Sequence, residues 1–426
     1  MRQPETVDGP DSTAPHSGAR QPTVLGRHYW TYAVLILLSF AGSIAHVIAV
    51  TWLLLRGSHG PTYVSVAFLI SAVPAVLLFR IARRQVAAEK LPSRLSVLDA
   101  IQAVVVVAVP VSAALGHPPA RAVLLGQEFL LSCCGAFVFP LSRAMLVRAA
   151  PRGATLTANG VSAAVFQTGN SLGALAGGLL VAVAGPYTAM AVNAGTFVVS
   201  AVGLAAMVRP VWQDEPDPKA PGRDHADTAG QARQQGRSTR SLLGYLVLGT
   251  VVLLTMQRLF LGSLGPLVQT HLRGTPLVQG VLQFAFTVGG VLGGIVVGKW
   301  ARESRRGREL TAILVLSAAS FLVLAASSSA LLSCTACFLL GVAVSHWSVF
   351  QSDIQATGGA AAQAHALAHI SMWQSVAAVI VFTGTAALTL VLQPRFVFAA
   401  FGLILIALGL LATHETQPVS VSEGDS

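Results

Sequence analysis

The chain is short of charge. Only 10% of its 426 residues are Asp, Glu, Lys or Arg, against about 25% in a soluble domain. A soluble fold this apolar would present large sticky patches to water, which argues against a soluble globular protein. Cysteine is scarce as well. Cys133, Cys134, Cys334 and Cys337 all lie inside apolar stretches. The last two form a C-x-x-C, but no second pair stands beside it in a polar loop, so these side chains read as small buried hydrophobes. His365 and His369 have an i, i+4 spacing that can hold a metal, yet no third ligand accompanies them. No metal and no cofactor are expected. A phosphate-binding glycine loop and any nucleophile–base spacing are missing, which argues against an ATP-driven pump and against an enzyme.

What the chain does have is oil. Hydrophobic residues make up 54%, and the mean hydropathy is +0.67. The bilayer is the natural solvent for such a chain. The net charge of +10 and the pI of about 10.2 would suit a nucleic acid. The basic residues, however, fall in short loops between apolar segments, the signature of membrane topology, so no nucleic-acid partner is expected. Residues 1–28 are rich in Pro, Ser and Gly with mixed charge and lack the apolar run of a cleaved signal. They read as a disordered cytoplasmic tail.

A membrane span needs about 20 apolar residues. Twelve candidate spans fit, at 29–55, 61–79, 95–115, 122–146, 156–184, 187–208, 242–267, 277–297, 310–326, 331–352, 364–392 and 396–412. The expected fold class is an all-α membrane protein with twelve transmembrane helices in two six-helix halves. The polar stretch 209–241, with Pro, Gly, Gln and both charges, reads as a cytoplasmic linker. It divides an N-terminal half, 29–208, from a C-terminal half, 242–412, and 413–426 forms a second cytoplasmic tail. The halves echo each other: Arg56-Gly57 follows the first span and Arg273-Gly274 the seventh. A duplicated six-helix unit is a mark of secondary transporters. With both termini in the cytoplasm, 22 of the 27 Lys and Arg fall on the cytoplasmic side and 4 outside, with Arg258 inside a span. That bias supports the orientation.

Two charged runs occupy the same place in each half, between the second and third spans. One is Gly298–Glu309, "GKWARESRRGRE"; the other contains Ile81-Ala82-Arg83-Arg84. The first loosely matches the G-x-L-A-D-R-x-G-R-R loop of the major facilitator superfamily, which the chain resembles over about residues 29–412. The acidic position of that loop is occupied by Arg302 and by Arg83. A second stretch, 137–178, looks like the pattern of bacterial drug and siderophore exporters within that superfamily. Phe137, Pro140, Arg143, Pro151, Leu156, Asn159, Gly169, Gly173, Gly177 and Gly178 match. The resemblance implies the major facilitator fold, alternating access, a small-molecule substrate, export against protons, a bacterial inner-membrane location and a monomer. The alternatives are a proton-coupled importer of a small metabolite and a non-transporting membrane sensor or scaffold. The charged loops, with Arg83, Arg84, Asp99, Arg143, Arg302 and Glu303, are expected to form an inner-face latch, with Asp99 pairing with Arg80, Arg83 or Arg143. Their basic residues also suit anionic lipid headgroups.

Ionisable residues at membrane depth are costly and invite a functional reading. By helical rise, His46 stands roughly 25 Å and Arg258 roughly 24 Å from the inner ends of their spans, and Glu128 roughly 10 Å from the outer end of its own. All three therefore fall in one layer, and they are expected to serve proton coupling and gating. Glu128 is the candidate proton carrier, and Glu128, Arg258 and His46 are expected to meet across the halves when the outer gate is closed. The cargo lining is expected from Gln127, Gln167, Asn170, Gln257, Gln283, His346, Trp347, Gln351, His369 and Trp373. Such uncharged polar and aromatic groups suit an amphipathic organic molecule.

Overall fold

A backbone in hydrocarbon has no water to satisfy its N–H and C=O groups, so apolar runs of this length fold as helices. In the computed structural model the described residues are 25–78, 81, 84, 91–150, 155–207, 236–300, 306–347, 350 and 360–415. They form twelve helices: α1 Arg27–Leu54, α2 Gly60–Leu77, α3 Leu91–Ala114, α4 Arg121–Arg148, α5 Thr155–Ala184, α6 Pro186–Met207, α7 Gly236–Thr270, α8 Pro276–Trp300, α9 Arg306–Ala326, α10 Ala330–Val344, α11 Ala360–Val391 and α12 Pro394–Glu415. Nine of them, among the described residues, are long and apolar enough to cross a membrane, and three shorter apolar helices accompany these. Two ends differ from the expectation. α7 begins at Gly236, running back into the polar stretch before the apolar segment. α10 stops at Val344, where the Ser345 hydroxyl donates to the Val342 carbonyl and the chain turns.

The tight connections use left-handed backbone. Gly57 ends the first turn region with φ +82°, and in the second half Arg273 takes φ +48° beside Gly274. Gly185, at φ +87°, joins α5 to α6, and Pro186 follows as the first residue of α6. This is the usual asymmetry of glycine after a helix end and proline at a helix start.

Packing repeats with a shift of six helices. α1 lies on α5 as α7 lies on α11; α3 on α6 as α9 on α12; α2 on α4 as α8 on α10. Across the halves, α5 meets α8 and α2 meets α11. The outer faces are apolar: on α3, Val97, Ile101, Val104 and Val111 are exposed at helical spacing. That is the arrangement expected when lipid rather than water surrounds the bundle.

The halves differ inside. The C-terminal half has one continuous hydrophobic core, from Leu253 on α7 to Leu405 on α12. The core of the N-terminal half is split in two. One cluster, with Ile48, Leu54, Val106 and Phe197, gathers toward the end of the bundle marked by Leu54. The other, with Tyr29, Tyr32, Leu91, Met145 and Leu204, gathers toward the end marked by Arg27. A cavity lies between them.

α5 is where close approach matters. A Cβ on Gly173 would strike the Ala41 backbone of α1, and one on Gly178 would come to 2.6 Å from the Pro276 carbonyl oxygen of α8. Replacing Gly178 by Val is expected to cost about 1–3 kcal/mol through overpacking and to lower Tm in detergent by several degrees. Gly294→Ala, where no atom lies within 4 Å of the added methyl, is expected to leave Tm unchanged or slightly raised. Equal shifts for the two variants would show that the α5–α8 approach is not tight.

Candidate functional site: a cavity in the N-terminal half

The cavity measures about 350 Å³, within the range that holds small organic ligands. Six helices of the N-terminal half line it, and one residue of the other half, Arg258 on α7, reaches its wall. Helical spacing brings one stripe from each helix to this space. α1 supplies Ser39, Ser43, His46 and Val50; α3 supplies Leu95, Asp99 and Gln102; α6 supplies Asn193, Phe197, Ser200 and Leu204. These fall at i, i+3, i+4, i+7 or i+11, one face of a 3.6-residue helix.

The polar groups sit at two levels. The first is His46 with Glu128. The Nε2 of His46 and the Oε1 of Glu128 are 2.9 Å apart, with the side chains 3% and 13% exposed. Nδ1 of His46 is buried without a partner. This contact can hold a proton on either side: a neutral imidazole N–H donating to a carboxylate, an imidazolium paired with it, or a carboxylic acid donating to the ring. Arg258 lines the same cavity and is accessible within it. Glu128 makes no ion pair with Arg258 within 4 Å; its basic partner is His46.

The second level is Asp99 with Ser200. The Ser200 hydroxyl donates to Oδ2 of Asp99 at 2.5 Å, and Oδ1 is buried without a partner. Opposed contacts between α1 and α6 fix the heights: Gly42 faces Asn193 and Thr196, and Leu35 faces Gly203. Ser200 is therefore level with about Leu38 of α1, roughly 10 Å below His46.

Several expectations are corrected. Asp99 does not pair with Arg143. It is 3% exposed inside the cavity, while Arg143 lies over the rings of Phe139 and Phe166 at 4.8 and 5.4 Å. A buried carboxylate finds the nearest hydroxyl, and the guanidinium of a residue nearer the helix end finds aromatic faces. Gln127 is not on the cavity wall: its amide donates to the Val105 carbonyl at 2.7 Å and ties α4 to α3. Asn170 and Gln283 join α5 to α8, since Asn170 donates to Thr287 at 3.2 Å and accepts from Gln283 at 3.4 Å. Gln167 stands in that same seam, its amide 3.4 Å from where a Cβ on Gly290 would be. Gln257 is half-buried and is not on the cavity wall. Trp347 packs against the C-terminal core, His346 is half-buried in the turn after α10, and Trp373 is exposed. None of these three reaches this cavity. Gln351, Arg80, Arg83, Arg302 and Glu303 lie outside the described residues, as does the side chain of His369; Arg84 is exposed.

The two halves touch from mid-bundle to the Leu54 end. The Trp52 indole donates to Oε1 of Gln279 at 2.7 Å, the Gln269 amide donates to the Leu55 carbonyl at 3.5 Å, and Thr389 donates to Thr62 at 3.3 Å. Phe68 stacks on Phe382 with centroids 5.4 Å apart. These contacts close the Leu54 end, above the cavity.

The sequence model of the Major Facilitator Superfamily matches residues 100–381, about two thirds of the chain. The chain belongs to that superfamily. No curated protein sequence matches it. Solved structures share the fold at low identity. One is a bacterial homolog of the human lysosomal transporter Spinster, inward-facing and occupied: 13% identity, 91% of this chain, 96% of that chain, TM-score 0.65. An auto-inhibited POT family peptide transporter gives 11%, 94%, 99% and 0.64. The nucleoside transporter NupG gives 10%, 92%, 100% and 0.65. At these identities the likeness is one of fold.

Replacing Trp52 by Phe removes one hydrogen bond across the closed end, worth about 1 kcal/mol, or about fivefold in the open–closed ratio. A cysteine at Leu55, buried at 3%, in a background without the four native cysteines, is then expected to react with maleimide about fivefold faster. Equal rates would show that this bond does not hold the end shut.

Proposed function

We propose that the chain is a secondary active transporter that exports small amphipathic organic compounds, exchanging them for protons by alternating access. The observation that carries this reading is the buried His46–Glu128 contact, set on a cavity wall that also includes a cation from the opposite half. A titratable pair at membrane depth is expensive unless it is used. In this reading Glu128 carries the proton and His46 holds its carboxyl in place. A guanidinium and a proton compete for the same carboxylate. With the Leu54 end closed Glu128 is paired with His46 and not with Arg258, so in this reading Arg258 approaches Glu128 at another stage of the cycle, expels the proton there, and lets another bind on withdrawing.

The distribution of Lys and Arg supports both termini on the cytoplasmic side, and the exporter-like pattern supports a bacterial inner membrane. The Leu54 end is then the outer end, and the closed contacts there correspond to the inward-open stage. On the same footing, 1–28, 209–241 and 413–426 are cytoplasmic, flanking the halves 29–208 and 242–412. Export rests on the exporter-like pattern at 137–178. Its glycines support the reading through close packing: Gly169, Gly173 and Gly177 seat α5 on α1 within one half, and Gly178 lies in the seam with α8, across which the halves must move. Arg83, Arg84, Arg302 and Glu303 complete the proposal as a cytoplasmic latch, and the working unit is a monomer.

The test is growth of a bacterium stripped of its own efflux pumps on a panel of antibiotics and dyes. Wild type is expected to protect severalfold against at least one class, and Glu128→Gln at matched expression to fall to the vector level. Protection by both would remove Glu128 as the coupling acid, and protection by neither would remove export of such compounds. A second measurement checks the partner: exchanging the charges, Glu128→Arg with Arg258→Glu, is expected to restore part of the transport that each single change abolishes. No recovery in well-expressed protein would break the proposed pairing.

A further inference from the structure

Asp99 is the residue that the transport reading leaves unused. Its side chain is 3% exposed, one oxygen is held by Ser200, and the other points at nothing. Among the described residues no Lys, Arg or His nitrogen lies within 4 Å of it. The basic side chains on the cavity wall, His46 and Arg258, belong to the Glu128 level, roughly 10 Å away along the helices. One turn further along α3, Gln102 is 6% exposed and its side-chain oxygen is also without a partner. A buried ionised carboxylate without a counter-charge is costly, so Asp99 either takes up a proton or is met by a positive group, and none of the described residues puts one in place.

The surroundings say what kind. Phe40, Phe139, Phe166 and Phe197 line the same space. Phe166 packs edge-on to Phe40 at 5.2 Å and tilted against Phe139 at 5.1 Å. Two of these rings already carry a cation, since Arg143 lies over Phe139 and Phe166. Aromatic faces attract organic cations, whereas a small inorganic ion would want several oxygens in place of its water.

We propose that Asp99, with Ser200 and Gln102, is a recognition site for the ammonium group of a lipophilic amine, whose apolar body lies against the phenylalanines of the cavity. An ammonium N–H donates to the free Oδ1 of Asp99, and a second donates to Gln102. Ser200 holds the carboxylate in register through the other oxygen. The cargo class is thus an aromatic or aliphatic amine that is protonated at neutral pH. This assignment rests on the cavity being the cargo path of the proposed transporter, and it separates the duties of the two acids: Asp99 selects the cargo and Glu128 moves the proton.

The test is direct binding to the full-length protein in lipid nanodiscs, followed by calorimetry. The probes are 4-phenylbutylamine, protonated at pH 7, and its neutral analogue 4-phenylbutanol. Asp99→Asn keeps the shape and an acceptor for Ser200. It is expected to weaken the amine about ten- to a hundredfold, the loss of a charged hydrogen bond, and to leave the alcohol unchanged. A Tm within a few degrees of wild type checks that the variant folds, and Ser200→Ala, which keeps the charge, is expected to lose affinity by a smaller factor. Equal amine binding by wild type and Asp99→Asn overturns the proposal, as does absence of amine binding to the wild type. Loss of transport in Asp99→Asn with unaltered amine binding overturns it in favour of a proton site. Binding needs no transport, so failure here and failure of the export reading are distinguishable: amine selection by Asp99 can hold while growth protection fails, and the reverse.

Discussion

Everything in this molecule depends on how closely α5 can lie against its neighbours. Lipid offers no hydrophobic drive for helices to associate, so they hold by packing, and small residues set the distance. Gly169, Gly173 and Gly177 seat α5 on α1, and Gly178 brings the same helix to α8 of the other half. One helix therefore belongs to both seams. It positions α1, whose stripe of Ser39, Ser43 and His46 faces the cavity, and it links that stripe to the half that must move. Asn170, Gln283 and Thr287 add the polar contacts of the seam.

The fold repeats, but the interior does not. One half is filled by a single core running from Leu253 to Leu405. The other gives up its middle to a cavity between two apolar clusters, with a few polar groups set in a largely apolar wall. Polar groups in a membrane need partners, so they collect where several helices can each contribute one face. That is why the two acids, the histidine and the visiting arginine share one wall instead of being scattered. The solid half then serves as the body against which the hollow half works.

Much of this was legible in the chain. The apolar runs marked all twelve helices, because length and hydropathy decide spans in lipid. The layer containing His46 and Glu128 followed from helical rise alone. What rise cannot give is azimuth. Gln127 and Asn170 stood at plausible depths but face neighbouring helices, where their amides meet a backbone carbonyl and a threonine hydroxyl. Asp99 was misplaced for the opposite reason. Its position near a basic loop suggested surface pairing, yet Leu95, Asp99 and Gln102 share a face at i, i+4 and i+7, the signal that could have assigned it to the cavity. The aromatic lining was invisible, since phenylalanines in an apolar sequence carry no mark of their own.

The closure at the Leu54 end is thin. Among the described residues, three hydrogen bonds and one ring stack span it in addition to the glycine seam. Each hydrogen bond contributes about 0.5–1.5 kcal/mol net. To turn a 1:99 mixture of two states into 99:1 takes about 5.5 kcal/mol of differential affinity. A clasp built from a handful of such contacts lies within that range, so both states of the molecule stay within reach of thermal exchange. Anything bound more tightly in one state than the other acts as a vote in that equilibrium, and the molecule needs no dedicated motor to be turned by what it carries.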